Sequence, residues 1–156
     1  ETYKGAVVRE FDPHYMWELS RIRYALELSA AEDAVKNMTD QGLERLRQIQ
    51  AAQREDLSNY NVDEFIRHDR EFHSCIYEMS LNRELMKLAS NYYDVFRFLG
   101  MQAVMGTEER RLTTIEEHQD ILEAMEQHNP KAAVQAMKKH MEQTETNIRR
   151  HIKIAP

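Results

Sequence analysis

The stretch Phe65-Ile-Arg-His-Asp69-Arg-Glu-Phe-His73-Ser-Cys-Ile-Tyr-Glu-Met79 decides the fold. Phe65, Phe72, Ile76 and Met79 recur at the spacing of one helix face, and Asp69 and His73 fall on that same face one turn apart. A carboxylate and an imidazole are therefore expected to point into a core. Burying a carboxylate costs roughly several kcal/mol unless a partner compensates it, and a metal ion is one partner that would also use the neighbouring imidazole.

Asn61, with Glu64 three residues on, gives this helix a capping-box-like start, and it is expected to end around Ser80. Upstream, Asp12-Pro13 reads as N-cap and first residue of a helix running to about Asn37, with Leu19, Ile22, Leu26, Ala30, Ala34 and Val35 on one stripe. Met38-Thr39-Asp40 restarts the chain, and Leu43, Leu46, Ile49, Gln50 and Gln53 mark a second, more polar helix ending near Ser58. Downstream, Asn82 opens one long helix with Leu85, Leu88, Ala89, Tyr92, Phe96 and Leu99 on its stripe, up to a break at Gly106-Thr107. A short segment beginning at Glu108 or Thr114 carries Ile115, Leu122 and Met125 to His128. Asn129-Pro130 starts the last helix, which runs to about His151 with Ala133, Ala136, Met137, Met141, Thr144 and Ile148 facing in. The fold class is all-α, six or so helices in one bundle. Glu1 to Phe11 reads differently: Gly5-Ala-Val-Val-Arg-Glu-Phe11 is short and β-prone, more like the last strand of something than the start of a bundle.

Composition agrees. The 156 residues suffice for one domain with a real core and are too few for two ordinary ones, and four Gly and three Pro beside 31% charged residues suit a helical protein. No window approaches 18 uncharged apolar residues and Glu1 to Arg9 lacks the apolar core of a signal peptide, so the expected location is cytoplasmic, with no membrane partner. A lone cysteine, Cys75, excludes an internal disulfide and a Cys-rich zinc site; its position marks it as a small core residue. The net charge of −6 argues against this segment gripping phosphate backbones by itself.

His118 lies on the Ile115, Leu122, Met125 stripe and His140 on the Ala136, Met137, Met141, Thr144 stripe, eleven residues to either side of Asn129. In an antiparallel hairpin the two would stand at equal height, about 16 Å from the turn, side by side. Three inward histidines and Asp69, from three helices, form an N3O set for a divalent transition ion with positions left open to water or an organic acid. The alternative is that each is a hydrogen-bonded core residue. His14, His68, His128 and His151 fall at ends or polar positions and are expected to be solvated.

Asp69-Arg-Glu-Phe-His73, Asn82, Glu116-Glu-His118 with Ile121-Leu-Glu-Ala124, and Ala132-Ala133 to His140, preceded by Glu18-Leu-Ser-Arg-Ile-Arg23-Tyr-Ala-Leu-Glu27, resemble in order and spacing the effector-binding C-terminal (FCD) domain of FadR-type GntR-family bacterial transcription regulators. The resemblance covers nearly the whole chain. It implies an antiparallel bundle of six to seven helices around a central metal and ligand cavity. It further implies metal ligands Asp69, His73, His118 and His140, holding Zn first, with Ni, Mn, Fe or Co as alternatives. Arg23, Asn82 and Arg97 match positions that meet a small carboxylate effector, though Asn82 also reads as an N-cap and Arg97 as a surface ion-pair residue. Residues 12–156 are then the ligand-sensing domain, and 1–11, whose Tyr3-Lys-Gly5-Ala-Val-Val8 resembles the end of a wing, the end of an N-terminal winged-helix domain or a linker. DNA binding is implied for a parent protein through that missing domain, as is a homodimer reading paired half-sites.

The rival reading is a metal-dependent helical-bundle enzyme acting on a small organic acid. It draws little support: the residues three before His73, His118, His140 and His151 are Arg70, Ile115, Met137 and Ile148, so no Glu-x-x-His pair of a di-iron bundle occurs, and there is no His-Glu-x-x-His. The expectation is therefore no enzyme. A metal-free dimerisation bundle, in which the inward histidines and Asp69 bond one another, is the third reading.

Overall fold

The computed structural model describes residues 12–104 and 107–152, and among them seven helices and no strand. The helices are α1 (Pro13–Asn37), α2 (Asp40–Ser58), α3 (Val62–Met79), α4 (Arg83–Asn91), α5 (Tyr93–Val104), α6 (Glu108–Glu126) and α7 (Pro130–Ile152). Local chemistry starts most of them. Asp12, Thr39, Asn61, Asn82 and Thr107 each accept a hydrogen bond from a backbone N–H of the first turn that would otherwise lack a partner. Tyr60, Leu81 and His128, at the ends of α2, α3 and α6, close those helices with positive φ.

The segment from Asn82 is two helices rather than one. Its stripe is continuous in sequence, but Leu85 with Met86 packs into the larger apolar cluster, against α1 and α3, whereas Phe96 and Leu99 pack in a second cluster with Met16, Leu19 and Ile148 of α1 and α7. A break at Tyr92 lets the halves serve two different clusters, and it leaves Leu88 exposed. Ile22 is also exposed, contrary to its place on the α1 stripe, because Arg23 and Glu27 take the inward positions. α6 begins at Glu108, with Thr107 as its cap. The β-prone segment 1–11 and Gly106 lie outside the described residues.

α1 packs on α3, α5 and α7, α2 on α3 and α6, and α6 on α7. The α1/α7 pair is antiparallel, Trp17 meeting Arg149 and Arg21 meeting Glu145, and so is the α6/α7 hairpin, where Asp120 pairs with Lys139. Along four helices the buried sequence runs apolar, polar, apolar: Leu19, then Arg23 and Glu27, then Ala30 on α1; Phe65, then Asp69 and His73, then Ile76 on α3; Ile115, then His118, then Ile121 on α6; Met137, then His140 and Thr144, then Ile148 on α7. The polar residues thus form one layer clamped between hydrophobic ones. Cys75 is buried in the larger apolar cluster.

Candidate metal centre and adjoining cavity

Each of the three inward histidines spends its Nδ1 on an acceptor from another helix. His73 Nδ1 donates to Glu27 Oε2 of α1 at 2.9 Å, His118 Nδ1 to Gln53 Oε1 of α2 at 2.9 Å, and His140 Nδ1 to Glu117 Oε2 of α6 at 2.8 Å. Glu27 is fully buried; burial alone would push its carboxyl up, but His73 and Arg23 overcome it and hold the group at about 2. Burial opposes ionisation of Glu117 as well, and the His140 bond and the Arg110 guanidinium outweigh it. An ionised carboxylate only accepts, so the Nδ1 atoms of His73 and His140 carry the protons.

In a neutral imidazole that tautomer leaves Nε2 as a bare lone pair, and the three Nε2 atoms face one another. His73 Nε2 and His140 Nε2 are 3.3 Å apart, and His118 Nε2 is buried without a hydrogen-bond partner, 3.7 Å from Asp69 Oδ1. One ligand nitrogen from each lies within 4.8 Å of the others. Two nitrogens on one tetrahedral ion at ~2.0–2.1 Å stand about 3.3 Å apart, so the donors present fit a divalent cation. Burial pushes His118 well below the ordinary histidine range, helped by the neighbouring His140 and His73, and burial lowers His140 against the pull of Glu117. At His118 and His140 the neutral form that binds metal is therefore the form the fold favours. Phe72 stacks flat on His118, ring centroids 4.0 Å apart, and fixes its plane.

The structure brings His73, His118 and His140 together, the last two side by side across the hairpin with centroids 4.8 Å apart, and sets Asp69 beside His118. A Cβ on Gly100 would stand 3.4 Å from Arg23 Nη1 and 3.5 Å from Asp69 Oδ2, so Arg23 and Asp69 flank one spot on α5. Arg23 Nε bonds Glu27 Oε1 at 3.2 Å, which ties that arginine through one carboxylate to His73. Beside His73, the one imidazole of the three that lines it, opens a cavity of about 220 Å³, bounded also by Arg23 and Glu27 of α1, Arg70 and Tyr77 of α3, and Arg97 of α5. Asn82 is not among its lining residues; its side chain caps α4, which carries Met86, Ala89 and Ser90 to the cavity wall. Of the other histidines, His14, His128 and His151 are exposed, but His68 is largely covered and pairs with Asp56 at 2.5 Å.

Sequence reasoning gave no role to Glu27, Gln53 or Glu117, the acceptors that orient the three imidazoles. Gln53 shows on the inward stripe of α2, and Glu27 is one turn from Arg23; Glu117 carries no such signal, since it adjoins His118 in sequence yet serves His140.

The sequence profile described as the FCD domain matches residues 18–143. The "Uxu operon regulator" of Haemophilus influenzae is 30% identical over 138 residues, covering 85% of this chain and 50% of that protein, so the chain spans about half the length of the curated relative it matches. Among solved structures, Streptococcus agalactiae GntR superposes with a TM-score of 0.76 at 21% identity, covering 89% of this chain and 62% of the other. A structure described as the metal-free FCD domain of TM0439 superposes with a TM-score of 0.74 at 16% identity, covering 96% and 99%. At these identities the likeness is one of fold.

Proposed function

We propose, on the premise that the chain belongs to the FCD domain family, that it is the effector-sensing and dimerising part of a GntR-type transcription regulator, in which a divalent metal and a small carboxylate effector set operator affinity. The observation that carries the metal reading is the convergence of three histidine Nε2 atoms whose Nδ1 atoms are all committed to acceptors. Asp69, beside His118, completes the proposed N3O set, for Zn first and for Ni, Mn, Fe or Co otherwise. A bound ion supplies a fixed positive charge with positions open to a carboxylate.

The chain's own residues do the rest. Glu27, Gln53 and Glu117 hold the imidazoles in one tautomer and orientation. Arg23, next to Asp69 and at the cavity wall, offers its guanidinium to the effector, and Arg97 of α5 faces the same cavity. An effector gripped there bridges α1, α3 and α5 and favours one packing of the bundle over another. Passed to DNA-binding domains of the parent protein, a differential of only about 1.4 kcal/mol changes operator affinity tenfold. A homodimer suits paired half-sites, and a cytoplasmic location suits a chain whose described helices include none long and apolar enough to cross a membrane.

The test is thermal melting of the metal-loaded and chelated chain against a panel of small organic acids. At least one acid should raise the melting temperature of the loaded protein and lose that effect on chelation, and Arg23→Met should abolish the response while retaining metal. Equal responses with and without metal would sink the coupling of effector to ion.

A further inference from the structure

We infer that the cavity carries a second anion subsite, formed by Arg70 and Arg97, and that the effector is accordingly a short organic acid with two anionic groups. The inference rests on the effector reading above and specifies its ligand. Arg70 lies three residues before His73, one turn along α3, about 4.5 Å down the helix axis. Its guanidinium sits over the Tyr93 ring, 4.9 Å from the centroid, and its Nε is buried with no hydrogen-bond partner. Arg97 lines the same cavity from α5.

The carboxylates that line the cavity are engaged elsewhere, and Glu71, next to Arg70 in sequence, pairs with Arg67. Glu27 is committed to Arg23 and His73, and Glu78 pairs with Arg45 of α2. Asp94 stands 4.0 Å from Arg97 Nε with both side chains mostly in solvent, where an ion pair neutralises little. One carboxylate at the His73 end, beside Arg23, leaves a second anionic group at the other end of the acid to meet the unused donors of Arg70. Ser74 and Ser90 add hydroxyls to the wall, which suits a hydroxylated chain between the two ends. At about 220 Å³ the space is below the ~300–1,000 Å³ that drug-sized ligands fill.

Calorimetric titration of the metal-loaded chain with gluconate, glucarate and 6-phosphogluconate tests this. The three share a six-carbon hydroxylated chain and a first carboxylate, and end in a hydroxyl, a carboxylate and a phosphate respectively. At least one dianion should bind about tenfold or more tighter than gluconate, as a charge-assisted contact requires, and the tighter of the two identifies the second group. Arg70→Gln should erase that margin while leaving gluconate within about threefold of its original affinity. Arg97→Gln, at a more exposed position, gives the same readout if Arg70→Gln does not fold. Gluconate binding as tightly as both dianions, or the variants weakening all three acids alike, would overturn the subsite and leave the effector reading standing. Failure of all three acids to bind the loaded protein would overturn both.

Discussion

Replacing Glu27 with Gln keeps the shape of the side chain and one acceptor oxygen, and removes the charge that Arg23 and His73 both use. The carboxyl itself gives the magnitude. Against the burial that would raise it, His73 and Arg23 hold it at about 2 instead of 4.5, and at ~1.4 kcal/mol per unit the ionised form is favoured by about 3 kcal/mol. That gain is divided between two partners, so the share reaching the imidazole is about 1–3 kcal/mol, which agrees with the 10–100-fold loss usual when the outer partner of a metal-bound histidine is removed. Competition for Zn against a chromophoric chelator near neutral pH should show a loss in that range, with helical circular dichroism confirming the fold. Glu44→Gln, on the exposed face of α2, should change nothing. Arg23 keeps its charge in the variant and loses a buried partner, which costs about 3–5 kcal/mol of stability. Glu117→Gln, which acts through His140, repeats the measurement if that cost proves too high. Metal affinity within about threefold of the original in both folded variants would refute the outer-partner reasoning.

Three further outcomes follow from the fold. Phe72→Ala removes a fully buried ring stacked on His118 and should cost about 3–5 kcal/mol in denaturant melts while also weakening metal binding; a loss below about 1 kcal/mol would contradict the packing. Leu81→Gly frees an exposed side chain held at φ 54° and should stabilise the domain by up to about 1 kcal/mol, whereas destabilisation would deny the strain. In the chelated domain His118 and His140 lie below the ordinary 6.5, so the unfolded chain takes up their protons first. Stability should be full above that value and fall as the pH drops through it, and a urea midpoint that holds or rises on mild acidification would contradict the burial of neutral imidazoles.

Most helix starts were legible because capping is local chemistry: Asp12-Pro13, Thr39 and Asn61 with Glu64 each announce a first turn without reference to anything distant. The pairing of His118 with His140 was also legible, since two stripes and one turn set the register of a hairpin. What escaped depended on other helices. The stripe from Leu85 to Leu99 runs through Tyr92 unbroken, and only the existence of two separate apolar clusters divides it. Hydrophobicity ranks Ile22 above Arg23 and Glu27, but that buried pair is satisfied by His73, 46 residues away, which no periodicity on α1 can register. His68 looked solvated because its partner Asp56 lies on the preceding helix. The acceptors of the imidazoles belong to the same class: their types are ordinary, and only tertiary placement makes them a set.

The three buried imidazoles, with one ligand nitrogen of each within 4.8 Å of the others, are proposed to hold a divalent ion. Elemental mass spectrometry of the purified chain, paired with melting curves before and after chelation, tests it most directly. The purified chain should carry ~1 transition ion, melt at a lower temperature once it is removed and recover on adding Zn or Ni. A metal-free protein whose melting ignores both chelator and added metal would contradict it.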